Sequence, residues 1–365
     1  MIKRILGVIF ILLFFILLFY PFLSWQFDSK KALSVAVMDK TVPQNDYREH
    51  KGLYWVLDHK KVRDPSGESY QLESDYYGYD PEEYQGDESF EIPDPVDLIY
   101  VADTYGVYDK DLQGNPLGER SELLYGGLTI YEWNQIMMNK TDENTLIVEF
   151  NSLASPTNPS VRKLVEKNLG ITWTGWIGRY FKELDDGEVP VWLRENWERQ
   201  HDQEWKFKGK GLAFVNDHDY VIVLPSEDVH DKVQFKWEKE ARSLYPDAVD
   251  GEYGYWFDII QPTEEVDVEA RYELAISPKA EELLEDNGIP ASFPAILHNK
   301  ERKTYYFAGD YADVGEDYYA RWSMPSWYKH VNSFFNADDA FFWKVYAPLM
   351  ESIIDAQSSV GESDV

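Results

Sequence analysis

The chain has 365 residues, with 35 Lys+Arg against 66 Asp+Glu and a formal net charge of −31. That balance excludes a nucleic-acid binder, because a phosphate backbone is held by clustered positive charge. Cysteine is absent, which removes disulfides, thiolate metal sites and every cysteine nucleophile.

Lys3 and Arg4 precede an apolar run from Ile5 to Leu23. Nineteen residues at about 1.5 Å each reach roughly 28 Å, about one hydrocarbon core. The sequence therefore predicts a signal-anchor transmembrane segment over residues 1–27, with its N-terminus cytoplasmic and the rest of a single-pass cell-membrane protein outside. Losing Lys3 and Arg4 leaves the part after that segment at −33.

Leu33 to Met38 reads as a strand, Tyr47 to Val62 as a helix, and residues 63–95 as an excursion over the surface. A second strand, Asp97 to Ala102, is followed by a helix capped at Thr129. Thr145 to Phe150 is a third strand, and Ser160 to Leu169 a helix stopped by Gly170. Strands alternating with helices predict a three-layer α/β/α sandwich with a mostly parallel, flavodoxin-like sheet. Residues 182–262 read as inserted loops, with a helix over Pro190 to Gln200 and two strands around Asn216-Asp217. Val266 to Ile276 is a strand and Pro278 to Asp286 a helix. Phe293 to Leu297 and Thr304 to Ala308 form a hairpin-like pair. Asp338 to Ala356 closes the domain, and residues 358–365 form a polar tail.

Six stretches in this order carry a resemblance: LSVAVMDKTVP at 33–43, YGGLT at 125–129, LIVEFNSLASPT at 146–157, WTGWIGRYF at 173–181, GIPASFP at 288–294 and YYFAGDYAD at 305–313. Over residues 31–356 the chain resembles the class I glutamine amidotransferase-like superfamily, in its membrane-anchored bacterial branch of unknown activity. The resemblance implies a nucleophilic Cys on a sharp turn, here at Asn151-Ser152, and a His and Glu after a later strand, here near Gly309-Asp310. The chain has no Cys and no His-x-Glu, so glutamine hydrolysis by that mechanism is excluded and the expected domain is a pseudoenzyme.

In an open parallel sheet, ligands bind beyond the carboxyl ends of the strands. Those ends carry Asp39 and Lys40, Asp103 and Tyr105, Glu149 and Asn151, and Asp310 with Asp313. Such acids serve general acid and base catalysis, with Glu149, Asp310 and Asp313 as the catalytic candidates, or they bind a divalent cation or sugar hydroxyls; they equally serve as backbone caps. Ser152 is either a replacement nucleophile or a cap. Gly126 and Gly127 offer bare N–H groups to an anion, or make a tight turn. Trp173, Trp176, Arg179 and Tyr180 form a sugar platform or pack the core. The seven His are scattered, so neither a zinc site nor a cofactor is expected. The function expected is binding of a cell-envelope carbohydrate or partner protein in polysaccharide assembly. The alternative is a glycan-active hydrolase using the strand-end carboxylates.

Overall fold

Runs of Val, Ile, Leu and Met without a polar break cannot show one face to water, and here they lie inside a sheet. The computed structural model describes residues 2–86, 90–185, 187–315 and 340–361. In chain order the first half holds α1 (Ile2–Phe27), β1 (Lys31–Ala32), β2 (Val35–Asp39), α2 (Arg48–His59), β3 (Val62–Arg63), β4 (Tyr77–Asp80), β5 (Gln85–Gly86), β6 (Leu98–Asp103), β7 (Val107–Tyr108), β8 (Leu123–Tyr125), α3 (Ile130–Asn139), β9 (Thr145–Glu149) and α4 (Pro159–Leu169). The second holds β10 (Ile171–Phe181), α5 (Val191–His201), β11 (Gly211–Asn216), β12 (Val221–Leu224), β13 (Val233–Trp237), β14 (Gly251–Tyr253), β15 (Trp256–Pro262), β16 (Asp267–Glu273), α6 (Pro278–Glu285), β17 (Ser292–Asn299), β18 (Thr304–Phe307) and α7 (Ala347–Gly361).

The main sheet has ten strands in the order β14-β13-β16-β17-β18-β9-β6-β2-β4-β5. Its centre, β18-β9-β6-β2-β4, is parallel, while both flanks are antiparallel. A separate antiparallel sheet, β12-β11-β10-β15, packs against it through β15 and β17. The expected mostly parallel three-layer sandwich is therefore wrong: this is a mixed α/β fold with a large mixed sheet and additional antiparallel sheets. The reason lies in connection length. Parallel neighbours need long crossovers, supplied before β10 by helices such as α2. Most strands from β10 onward run antiparallel to their neighbours, and several of these pairs are joined by short connections.

The single-pass anchor is also overturned. Among the described residues no helix is long and apolar enough to cross a membrane.

Two helix ends follow the local sequence rules. Thr129 and Glu132 form a capping box at α3, each side chain bonded to the other's backbone N–H, and Gly170 ends α4 at φ +70°. The excursion at 63–95 supplies β4 and, at the edge of the main sheet, β5, and 182–262 contains α5 and five strands. Ser358 to Gly361 continue α7; residues 338, 339 and 362–365 of the expected closing helix and tail lie outside the described residues.

Tyrosines and phenylalanines fill the core between the sheets. Tyr253, Tyr272, Tyr311, Phe235 and Phe341 pack ring against ring with centroids 4.8–6.3 Å apart. The buried hydroxyls of Tyr272 and Tyr311 bond to each other at 2.8 Å, and Tyr311 donates on to Ala295 O. A satellite core of Phe181, Leu184, Leu193 and Val215 lies under α5.

Candidate functional site

The parallel strands deliver their last residues to one edge. Asp39 ends β2 fully buried, its Oδ1 accepting from Thr41 N at 2.9 Å and its Oδ2 facing His50 Nδ1 at 2.6 Å. Lys40, 2% exposed, donates from Nζ to Gly127 O and Glu132 Oε1, both at 2.8 Å. Glu149 ends β9 fully buried, accepting from the hydroxyl of Tyr100 at 2.5 Å. Burial above all pushes its carboxyl well above the usual range. Asp313 is clamped by the Arg48 guanidinium at 2.6 and 3.0 Å. Asp310 is half-buried, and burial followed by repulsion from Asp313 and Asp103 raises its carboxyl strongly. None of Asp39, Lys40, Glu149, Asp310 and Asp313 lines an open cavity among those described.

Asp103, at the end of β6, is placed differently. It is 2% exposed, and burial, then Asp39, pushes its carboxyl up to about 7. Its Oδ1 accepts from Thr41 Oγ1 at 2.7 Å and from Tyr105 N at 2.6 Å, and its Oδ2 from Asn151 Nδ2 at 2.9 Å. Tyr105 and Asn151 are the residues that reach past it. Asn151 takes φ +66°, a left-handed backbone that Asn tolerates better than most residues.

Those two side chains open onto a cleft of about 690 Å³. Tyr105 and Tyr108 line it with ring centroids 4.9 Å apart, and Trp173 and Ile177 of β10 and Trp192 of α5 line it as well. Its polar lining comes from two segments: Asp111, Asn115 and Arg120 from the β7–β8 connection, and Asn216 to Asp219 from the end of β11 and the turn to β12. Arg120 spans the two with bonds from both terminal nitrogens to the Asp219 carboxylate, holding that carboxyl below its ordinary value. Burial raises the Tyr105 phenol, so it stays protonated and neutral.

No family model and no curated protein matches the chain. Among solved structures it is similar to a beta-galactosidase from Bacillus circulans sp. alkalophilus, at 10% identity and a TM-score of 0.38, over 92% of this chain and 32% of that one. The chain thus spans about a third of that protein's length. It is also similar to a putative ThuA-like protein from Bacteroides uniformis, at 10% identity and a TM-score of 0.31, over 77% of this chain and 84% of that one. A ThuA-like protein, of class I glutamine amidotransferase-like fold, thus stands among the structural neighbours at weak identity, and it assigns this chain to no family. Neither likeness bears on the role of any residue.

Of the residues singled out in the sequence, the cleft gathers Tyr105, Asn151 and Trp173. Trp176 and Tyr180 are 7% exposed core residues of β10, and Trp173, at 8%, shows the cleft little more than an edge. Arg179 bonds Glu188 at 2.9 Å. The segment 171–181 is an eleven-residue strand rather than a flexible platform. Ser152 is fully buried with no hydrogen-bond partner for its Oγ among the described residues. Gly126 and Gly127, at φ +149° and +74°, serve close packing: a Cβ on Gly126 would sit 2.6 Å from Gly106 Cα.

Sequence reasoning missed Tyr108, Asp111, Arg120, Trp192, Asp217 and Asp219. The Asn216-Asp217 turn was the one local signal for any of them, and it marks a hairpin, not a binding wall.

Proposed function

We propose that this chain binds carbohydrate in the cleft lined by Tyr105 and Trp192, without glutamine amidotransferase activity. The observation that carries the reading is the composition of the walls. Aromatic side chains suit the apolar faces of pyranose rings, and the amides and carboxylates of Asn115, Asn151, Asn216 and Asp217 suit their hydroxyls. The complete absence of cysteine supports the exclusion of thiolate chemistry.

Binding is favoured over glycan hydrolysis by the strand-end carboxylates because hydrolysis needs an acid and a base facing the scissile bond. Glu149 is sealed under Tyr100, Asp313 is held by Arg48, and neither they nor Asp310 line the cleft.

The test is a titration of the full chain with neutral, amino and acidic oligosaccharides, monitored by tryptophan fluorescence. Trp192→Ala is expected to weaken the bound saccharide about tenfold, the scale of one lost stacking contact. Absence of any saccharide response, or an unaltered response in Trp192→Ala, would end the proposal.

A further inference from the structure

The charges around the cleft are unbalanced, and their pairing shows which are open to a ligand. Four carboxylates, Asp111, Glu119, Asp217 and Asp219, line it against one guanidinium, Arg120. Arg120 is already bound through both terminal nitrogens to Asp219, and His218, which also lines the cleft, lies 3.6 Å from Asp217, so acids outnumber cations around any ligand. Glu119 is met by Lys110 at 2.6 Å. Among the described residues Asp111 accepts only from neutral donors, Tyr108 N and Asn115 Nδ2, both at 3.0 Å.

Asp217 is the most available of the four. Its backbone is fixed, with N–H donating to Gly175 O at 2.9 Å. Among the described residues no donor makes a hydrogen bond to its carboxylate; the nearest cations are Arg162 at 3.9 Å and its neighbour His218 at 3.6 Å. Its side chain is 37% exposed. Arg162 lies over the Trp173 ring, 4.8 Å from its centroid, behind the cleft wall. A carboxylate lacking a close partner, beside aromatic walls and in a chain of net charge −31, attracts a cation and repels an anion.

We propose that the cleft selects cationic saccharides, oligomers of amino sugars whose free ammonium group is held by Asp217 with Asp111 in support. This rests on the carbohydrate reading of the same cleft and adds the sign of the ligand's charge. It predicts that masking the amine as an amide removes the preference, and that a uronic acid at the same position is rejected.

The experiment titrates the full chain at about pH 6, below the value of about 7.7–8.0 at which a free α-amino group loses its proton. The probes are a glucosamine oligomer, its N-acetylated form and a glucuronate oligomer of equal length. The expected order is glucosamine at least about tenfold tighter than N-acetylglucosamine, as one charge-assisted hydrogen bond gives, with no glucuronate binding. Asp217→Asn is expected to lose most of that tenfold preference with an unchanged melting temperature. N-acetylglucosamine binding as tightly as glucosamine would overturn the charge selectivity and leave the carbohydrate reading standing. No binding by any of the three overturns both. Displacement of the glucosamine oligomer by an equal concentration of spermine, or full preference retained in Asp217→Asn, would assign the attraction to overall acidity and overturn the proposal.

Discussion

Asn151 Nδ2 donates to Asp103 Oδ2 at 2.9 Å, joining a residue on the cleft wall to a carboxyl buried behind it. The other oxygen of Asp103 holds Tyr105 N and the hydroxyl of Thr41. One side chain therefore sets the position of two cleft residues from different strand ends. Three donors converge on it, so Asp103→Asn must turn its own amide N–H toward one of them. The expected cost is about 1–3 kcal/mol in urea unfolding, the range for a buried polar group left without its partner. Saccharide affinity should fall along with it, because Tyr105 and Asn151 lose their common anchor. A variant with lowered stability and full affinity would show that the cleft does not depend on this carboxyl.

The strand ends were legible because β2, β6 and β9 are continuous apolar runs, and a run of that kind is buried wherever it pairs. Each such run ends at an edge of the sheet, so Asp39, Asp103 and Glu149 could be placed together without a structure. Whether they face solvent could not be read. It depends on Tyr100, Tyr346 and His50 covering them, and Tyr100 and Tyr346 are 246 residues apart. The strand β10 was hidden by Gly175 and Gly178. Gly175, at φ +88°, sits where the pairing with β15 shifts register between Trp173 and Ile177, and Gly178 leaves room for Phe257 and Phe214. In sequence those glycines punctuate; in the sheet they let neighbours approach. The cleft was illegible for a related reason: Arg120 and Asp219, which are bonded to each other in its lining, are 99 residues apart, and no local pattern links them.

Asp258 gives a pH dependence of stated sign. It is fully buried on β15, its Oδ2 accepts from the hydroxyl of Tyr306, and its Oδ1 has no hydrogen-bond partner among the described residues. Burial pushes its carboxyl from 3.8 up to about 7. Between those values the folded chain keeps a proton that the unfolded chain has lost, so stability from this group is full below about pH 4 and declines as pH rises toward 7. Asp103 acts in the same direction. The urea midpoint is expected to be higher at pH 5 than at pH 8. Asp258→Asn, which mimics the protonated acid, should flatten that slope by raising stability at pH 8 by about 1–3 kcal/mol. An identical slope in the variant would remove Asp258 as its source.

Gly106 tests how tightly the cleft loop is built. It has φ +96°, and a Cβ there would meet Tyr125 O at 2.1 Å and Gly126 Cα at 2.5 Å, both backbone atoms. Gly114, at φ +85°, has nothing within 4 Å. Both alanine variants carry the left-handed backbone strain, and only the first adds a clash that no side-chain rotation relieves. Gly114→Ala should cost about 1 kcal/mol and Gly106→Ala about 3 kcal/mol or more by denaturant unfolding. Equal costs would mean that the approach of Gly106 to Tyr125 is looser than these distances.

Lys40 stands at a strand end, yet its ammonium is committed to the fold. It meets Glu132 at 2.8 Å with both side chains nearly sealed, at 3% and 4% exposure, and lies 4.6 Å from the Tyr125 ring centroid. Glu132 in turn caps α3 through Thr129 N at 2.7 Å. Removing one partner leaves a buried charge without its counter-ion, so Lys40→Met should cost about 3–5 kcal/mol. Glu132→Gln also loses the charge while keeping a cap acceptor. The double variant Lys40→Met with Glu132→Gln should be less destabilised than the sum of the single changes, with a coupling of about 1–3 kcal/mol across the cycle. Additive losses would show that the two charges do not depend on each other, and would return Lys40 to the set of residues available to a ligand.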